Sequence, residues 1–270
     1  MSRFYGSVRH IALLLLFLAC CSTKLYAQVT ASFTMSPSQG CSPQVVNFTS
    51  TCTGTITGYS WNFGNGASTS VLQNPSTTYT SPGTYTITLS VTGSGGPKTA
   101  TASITIYAAP TVSMSFTPAT GCDPLTVNFS SSITANAPGS YTQLWDFQDG
   151  NTTTSSNPSH VYNYGTTGTY HPVLKVTNSV GCVTTIVSTN AITLSPKATV
   201  SFTASPTAFC TTNGTAGFYG SVTGGTSPYT YAWDFGDGGG FGLGALTTNH
   251  YYAALGSFTV QLKVTDANGC

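Results

Sequence analysis

Two pairs of aspartates have the spacing of an ion-binding loop: Asp146 with Asp149 in "WDFQDG", and Asp234 with Asp237 in "WDFGDG". Carboxylates three residues apart beside glycines suit a hard cation, and glycine-rich turns also cradle phosphates. Ca2+, however, takes about six to eight oxygens. Each of these phrases offers two carboxylates, and the matching phrase "WNFGNG" offers only Asn62 and Asn65. No lysine follows the glycines and no helical pattern follows the turn, so a phosphate loop does not fit. A strand running into a tight turn fits better. Asp and Asn both close such turns by side-chain to backbone hydrogen bonds, and glycine supplies positive φ. Asp146, Asp149, Asp234 and Asp237 are therefore turn residues first and weak Ca2+ candidates second, with no other cofactor expected.

Other reactive groups are sparse. His160, His171 and His250 stand apart without metal-ligand spacing, and His160 and His250, just before Tyr162 and Tyr252, are expected to be packed or capping. "GYSWN" breaks the nucleophile-elbow pattern at its fifth position. The chain has no glutamate, which leaves little for paired-carboxylate glycoside hydrolysis. No catalytic residue is expected. Tyr229, Tyr231, Tyr251 and Tyr252 are read as exposed rings able to stack on sugars, or else as ordinary residues of sandwich faces and edges.

The elements that hold these residues are strands. Charged residues make up only 5% of the 270, against about 25% in ordinary domains. The 40% hydrophobic and 12% aromatic residues still suffice for packed cores. At the N-terminus Arg3 and Arg9 precede an apolar run, Ile11 to Cys21, too short to span a bilayer, with Ala27 as a cleavage point. Residues 1–27 are therefore expected to be a signal peptide, lipidation of Cys20 being the alternative, and the protein to be exported to the extracellular space or cell surface. Its removal leaves four lysines against six aspartates, a net charge of −2 that provides no basic patch for nucleic acid.

Tryptophan occurs three times, at Trp61, Trp145 and Trp233, each inside one phrase: "YSWNFGNG", "QLWDFQDG", "YAWDFGDG". Each phrase is followed by "GTYTITLSVT", "GTYHPVLKVT" or "GSFTVQLKVT" and preceded by "VVNFTS", "LTVNFSS" or "TAGFYGS". Within them apolar residues alternate, as in Tyr85, Ile87, Leu89 and Val91, which means strands with one face buried. Trp61, Phe63, Trp145, Phe147, Trp233 and Phe235 are the expected core. About seven short strands in about 80 residues around one Trp indicate an immunoglobulin-like sandwich.

The "W-D-F-G-D-G" phrase, "NPSHVY" and the "G-T-Y" strand together resemble the PKD domain family, in the tandem style of exported Bacteroidetes-type surface or secreted proteins. The resemblance covers residues 29–270 and implies an all-β chain of three PKD-like modules at 28–109, 110–196 and 197–270. Three departures stand out: the amides Asn62 and Asn65, Gln148 at a glycine position, and Pro172 inside a strand. The third module stops before the final strand that "KTATASITIY" and "VTTIVSTNAITL" supply to the others, so the chain is expected to continue into further C-terminal domains.

Six cysteines follow the signal segment: Cys41, Cys52, Cys122, Cys182, Cys210 and Cys270. An even number in an exported chain points to disulfides. Bridges within modules, Cys122 with Cys182 and Cys210 with Cys270, are one scheme. In a sandwich, though, those turns lie at opposite ends, more than about 20 Å apart, while a disulfide needs Cα atoms within about 7 Å. The other scheme is staggered, Cys41 with Cys182 and Cys122 with Cys270, and leaves Cys52 unplaced. The resemblance implies a non-catalytic spacer, stalk or adhesive module facing extracellular polysaccharide or surface proteins. A carbohydrate-binding accessory region or a Ca2+-stabilised adhesion module is the alternative.

Overall fold

The computed structural model describes residues 27–66, 69–163, 168–210 and 212–270. The signal segment and Cys20 lie outside the described residues. Every regular element among the described residues is a strand, and none forms a helix long and apolar enough to cross a membrane. The chain divides into two compact units, one ending at Ala108 and one beginning at Ala109.

The first unit holds one sandwich. Its strands are β1 (Phe33–Ser36), β2 (Gln39–Cys41), β3 (Gln44–Ser50), β4 (Ile56–Asn62), β5 (Thr69–Ser70), β6 (Ser76–Tyr79), β7 (Gly83–Gly93) and β8 (Lys98–Tyr107). They form one sheet of order β1-β3-β6 and another of order β2-β8-β7-β4-β5. The period-two pattern decides which side chains face inward. Ile87, Leu89 and Val91 of β7, with Ile104 and Ile106 of β8, meet Val46, Phe48 and Trp61 in one buried cluster. The intervening Thr and Ser side chains face outward.

The second unit holds two sandwiches. The first of them comprises β9 (Thr111–Thr117), β10 (Thr120–Cys122), β11 (Leu125–Thr134), β12 (Tyr141–Asp146), β13 (Thr152–Thr153), β14 (Ser159–Tyr162), β15 (Thr169–Tyr170), β16 (Val173–Asn178), β17 (Val183–Val187) and β18 (Ile192–Ser195). Its sheets run β14-β11-β9, β13-β12-β16-β17 and β10-β18-β15. Pro172 accounts for the extra division: it has no N–H to donate, so the strand splits into β15 and β16. The last strand splits in step into β17 and β18, and Ser188 N–H donates to the Pro172 carbonyl at 2.9 Å.

The third sandwich comprises β19 (Thr199–Ser205), β20 (Gly214–Thr223), β21 (Thr230–Asp234), β22 (Gly242–Gly244), β23 (Thr247–Tyr252) and β24 (Gln261–Thr265), in sheets β19-β20-β23 and β22-β21-β24. Its core is thinner. Phe235, expected to be fully in the core, is only half-buried, as are Phe258, Val260 and Leu262. The counterparts Phe63, Ile87 and Leu89 are buried.

Candidate functional site

Each tryptophan strand leads into the same turn. Asn62, Asp146 and Asp234 accept, through Oδ1, the backbone N–H two residues on: Gly64 at 2.9 Å, Gln148 at 2.8 Å and Gly236 at 2.9 Å. The bond needs an oxygen and no charge, which is why amide and carboxylate interchange here. The receiving residue has positive φ in all three turns, 75° at Gly64, 64° at Gln148 and 74° at Gly236. A Cβ on Gly64 would stand 2.5 Å from the Thr86 carbonyl oxygen, and one on Gly236 2.6 Å from that of Thr259. Gln148 does carry a Cβ, and the strand opposite is the one interrupted at His171–Pro172. Its side chain also donates to Asp146 Oδ2 at 2.8 Å.

The second aspartate of each phrase has a partner that sequence spacing did not reveal. Asp149 Oδ1 accepts the Asn151 N–H at 3.0 Å, and its Oδ2 lies 2.6 Å from His160 Nε2. Asp237 Oδ2 lies 2.8 Å from His250 Nε2. Each imidazole stacks on the Phe of the tryptophan phrase, with centroids 4.0 Å apart for Phe147 and His160 and 3.9 Å apart for Phe235 and His250. Each also meets a tyrosine edge-on at 4.7 Å, Tyr162 or Tyr252. The histidines are thus packed and also paired, where the sequence alone presents them as isolated. In the first sandwich Asn65 and Thr77 hold these places, joined at 3.5 Å from Asn65 Nδ2 to Thr77 Oγ1.

Burial raises the Asp149 carboxyl, but hydrogen bonds from His160 and from the Asn151 N–H outweigh it and hold the group below the usual carboxylate range. The hydrogen bond from His250 does the same for Asp237, against a smaller effect of burial. Among the described residues no three His, Cys or Asp side chains converge. Asp149 and Asp237 each commit one carboxylate oxygen to an imidazole, so the four turn aspartates do not assemble an oxygen cage.

The tyrosines are placed differently from expectation. Tyr252 is buried at 7% exposure, and its hydroxyl donates to the Phe235 carbonyl at 3.0 Å, as Tyr79 does to Phe63 and Tyr162 to Phe147. Burial pushes the Tyr79 hydroxyl up to about 12. Tyr229 and Tyr231 are half-buried, the Tyr229 hydroxyl donating to Gly224. Tyr251 is exposed. The four therefore do not form an exposed aromatic platform.

The cysteines lie at the ends of the sandwiches. Cys122, at the end of β10, is bonded to Cys270, with Cα atoms 5.5 Å apart. Cys41 and Cys182 are each in a disulfide, while Cys52 and Cys210 are free thiols, Cys210 exposed. These bonds exclude the scheme that pairs Cys122 with Cys182 and Cys210 with Cys270. The turn that presents each later cysteine is built alike. Asn178 Oδ1 accepts the N–H groups of Val180 and Cys182, and Asp266 Oδ1 those of Asn268 and Cys270. "NSVGC" and "DANGC" carry that signal in the sequence, an Asx residue four positions before the cysteine.

A family model for the PKD domain matches residues 30–108, 107–194 and 195–270. This chain belongs to the PKD domain family. Among solved structures, the PKD1 domain of the Vibrio cholerae metalloprotease PrtV is 30% identical, covering 30% of this chain and 98% of its own, with a TM-score of 0.26. A protein from Methanosarcina mazei is 28% identical over 30% of this chain and 54% of its own, with a TM-score of 0.26. The I-band fragment I67–I69 of titin is 11% identical over 89% of this chain and 94% of its own, with a TM-score of 0.46. The family match and the strands together make the protein an all-β chain of tandem PKD sandwiches.

Proposed function

We propose that this PKD chain is an exported, non-catalytic spacer or adhesive stalk, with a signal peptide over 1–27 and modules at 28–109, 110–196 and 197–270. The Cys122–Cys270 bond carries the reading. It ties the end of one sandwich to the next, in parallel with a peptide link of three residues between Ser195 and Thr199. Two bodies held by a short link and a covalent strut have few ways to bend. We infer the same strut between Cys41 and Cys182, whose places in the repeat match. Disulfides of this kind persist in an oxidising exterior, where such a stalk would display the chain, and any domains that continue it, to polysaccharides or surface proteins.

Small-angle scattering on the oxidised protein tests the stiffness. The expected result is one narrow distribution of maximum dimension, which broadens when Cys122→Ser and Cys270→Ser are introduced together. Identical broad distributions for both proteins would overturn the stalk. Non-reducing peptide mapping should recover Cys41 joined to Cys182.

A further inference from the structure

A buried indole N–H needs an acceptor inside its sandwich, and two of the three tryptophans have one. Trp61 Nε1 donates to the Leu72 carbonyl at 2.9 Å, and Trp233 Nε1 donates to the Ala245 carbonyl at 2.9 Å. Trp145 is fully buried, yet among the described residues its Nε1 has no partner. The same holds for Gln143 Oε1, two residues earlier on the inward face of β12.

The carbonyl that Trp145 would use is already taken. β5 and β13 pair with the tryptophan strands in the same register, Ser70 opposite Trp61 and Thr153 opposite Trp145. Two residues further on stand Leu72 and Ser155, so the Ser155 carbonyl holds the place of the Leu72 acceptor. Gln143 Nε2 donates to it at 2.7 Å. The other sandwiches carry Tyr59 and Tyr231 at the Gln143 position, where no amide competes for that carbonyl. Turning the Gln143 amide over would bring two oxygens, Oε1 and the Ser155 carbonyl, to the same short distance, so the orientation stands.

A donor and an acceptor sealed from solvent without partners are both destabilising. An N–H repels a cation and an amide oxygen repels an anion, so an ion satisfies only one of the two. A small neutral group that both accepts and donates satisfies both. Polar recesses hold such a group as water, whereas apolar ones stay dry.

We propose that the second sandwich binds one structural water between β12 and the loop from β13 to β14. Its oxygen accepts the Trp145 N–H, and one of its hydrogens goes to Gln143 Oε1. The other hydrogen is available to the second lone pair of the Ser155 carbonyl. The water thereby restores, through one bridge, the tie between indole and loop that the first and third sandwiches make directly.

The test is nuclear magnetic resonance on the full oxidised chain, isotopically labelled at the tryptophan nitrogens, which gives one probe and two references. The Trp145 indole N–H should show a nuclear Overhauser contact to water, with the sign that marks a water tumbling with the protein. Trp61 and Trp233 should show none. Gln143→Leu frees the Ser155 carbonyl for the indole, so the contact should vanish. Gln143→Tyr, which copies the residue of the other two sandwiches, should abolish it as well. The comparison among the three indoles of the unaltered chain needs neither variant to fold. Absence of the contact at Trp145 would overturn the proposal, as would contacts of equal strength at all three indoles. A contact that survives both substitutions would overturn the part assigned to Gln143.

Discussion

The first and third sandwiches share the spacing of their aromatic centres and differ along one flank. Phe33 meets Trp61 at 5.1 Å and Phe202 meets Trp233 at 5.1 Å; Phe48 and Phe218 meet the same indoles at 5.5 Å. Yet Ile87 and Leu89 are sealed from water while Val260 and Leu262 are half-open. The difference separates two jobs. The aromatic cluster fixes how the sheets meet, and the last strand closes one flank, each buried isoleucine of β8 contributing about 1.5–3 kcal/mol.

The largest effect should come from the indoles. Trp61→Ala is expected to cost about 3–5 kcal/mol, and Trp233→Ala less, because a cavity beside an open cleft is partly relieved by water and collapse. Hydrogen exchange at β7 and at β24 reads the two losses separately, and equal values would erase the contrast. Next in size are the turn glycines. Gly64→Ala and Gly236→Ala both impose positive φ on a Cβ that meets a backbone carbonyl, at about 1–3 kcal/mol. Thr86 is held in β7 between two strands, whereas Thr259 lies in a segment without strand pairing. The first substitution should therefore be the more damaging, and the reverse order would show that residues 255–260 are as rigid as β7.

Acid should divide the two sandwiches as well. Between residues 28 and 109 there is no Asp, Glu or His. In the third sandwich the Asp237 and Asp266 carboxyls are held below the usual range. For Asp266, burial opposes the shift and N–H bonds from Cys270, Thr226 and Asn268 prevail. A lowered carboxylate binds fewer protons folded than unfolded, so its stabilisation is present above the unfolded value of about 3.9 and is lost as pH falls through the lower folded value. Exchange measured down that range should loosen β24 while β7 stays unchanged. The smallest change is expected in the second sandwich: Gln148→Gly relieves a side chain at φ 64° but loses its bond to Asp146, a net gain under about 1 kcal/mol.

Much of the architecture was legible because it depends on local rules. Alternation located β3, β7 and β24, and the exchange of Asp146 for Asn62 revealed a turn bond rather than a charge site. The His160–Asp149 pair was not legible, because its members belong to different sheets, Asp149 in the turn after β12 and His160 on β14, and nothing in their spacing declares that a stacked imidazole will face the turn. Tyr252 was misplaced for a related reason. Beside Tyr251 in the sequence it resembles one of a pair, yet on a strand adjacent side chains point to opposite faces. The cystine pairing was only half legible, since strand length argued against bridges within a sandwich while the bonding of Cys270 depends on how two sandwiches meet.

The Cys122–Cys270 bond closes a loop with a sequence separation of 148. A tension applied at Cys270 therefore passes straight to Cys122 and bypasses everything threaded between them, including the open third sandwich. Reducing that one bond would route the same tension back through the third sandwich. The weakest-packed part of this chain is thus outside the line of force while the thiols stay oxidised, and inside it once they are reduced.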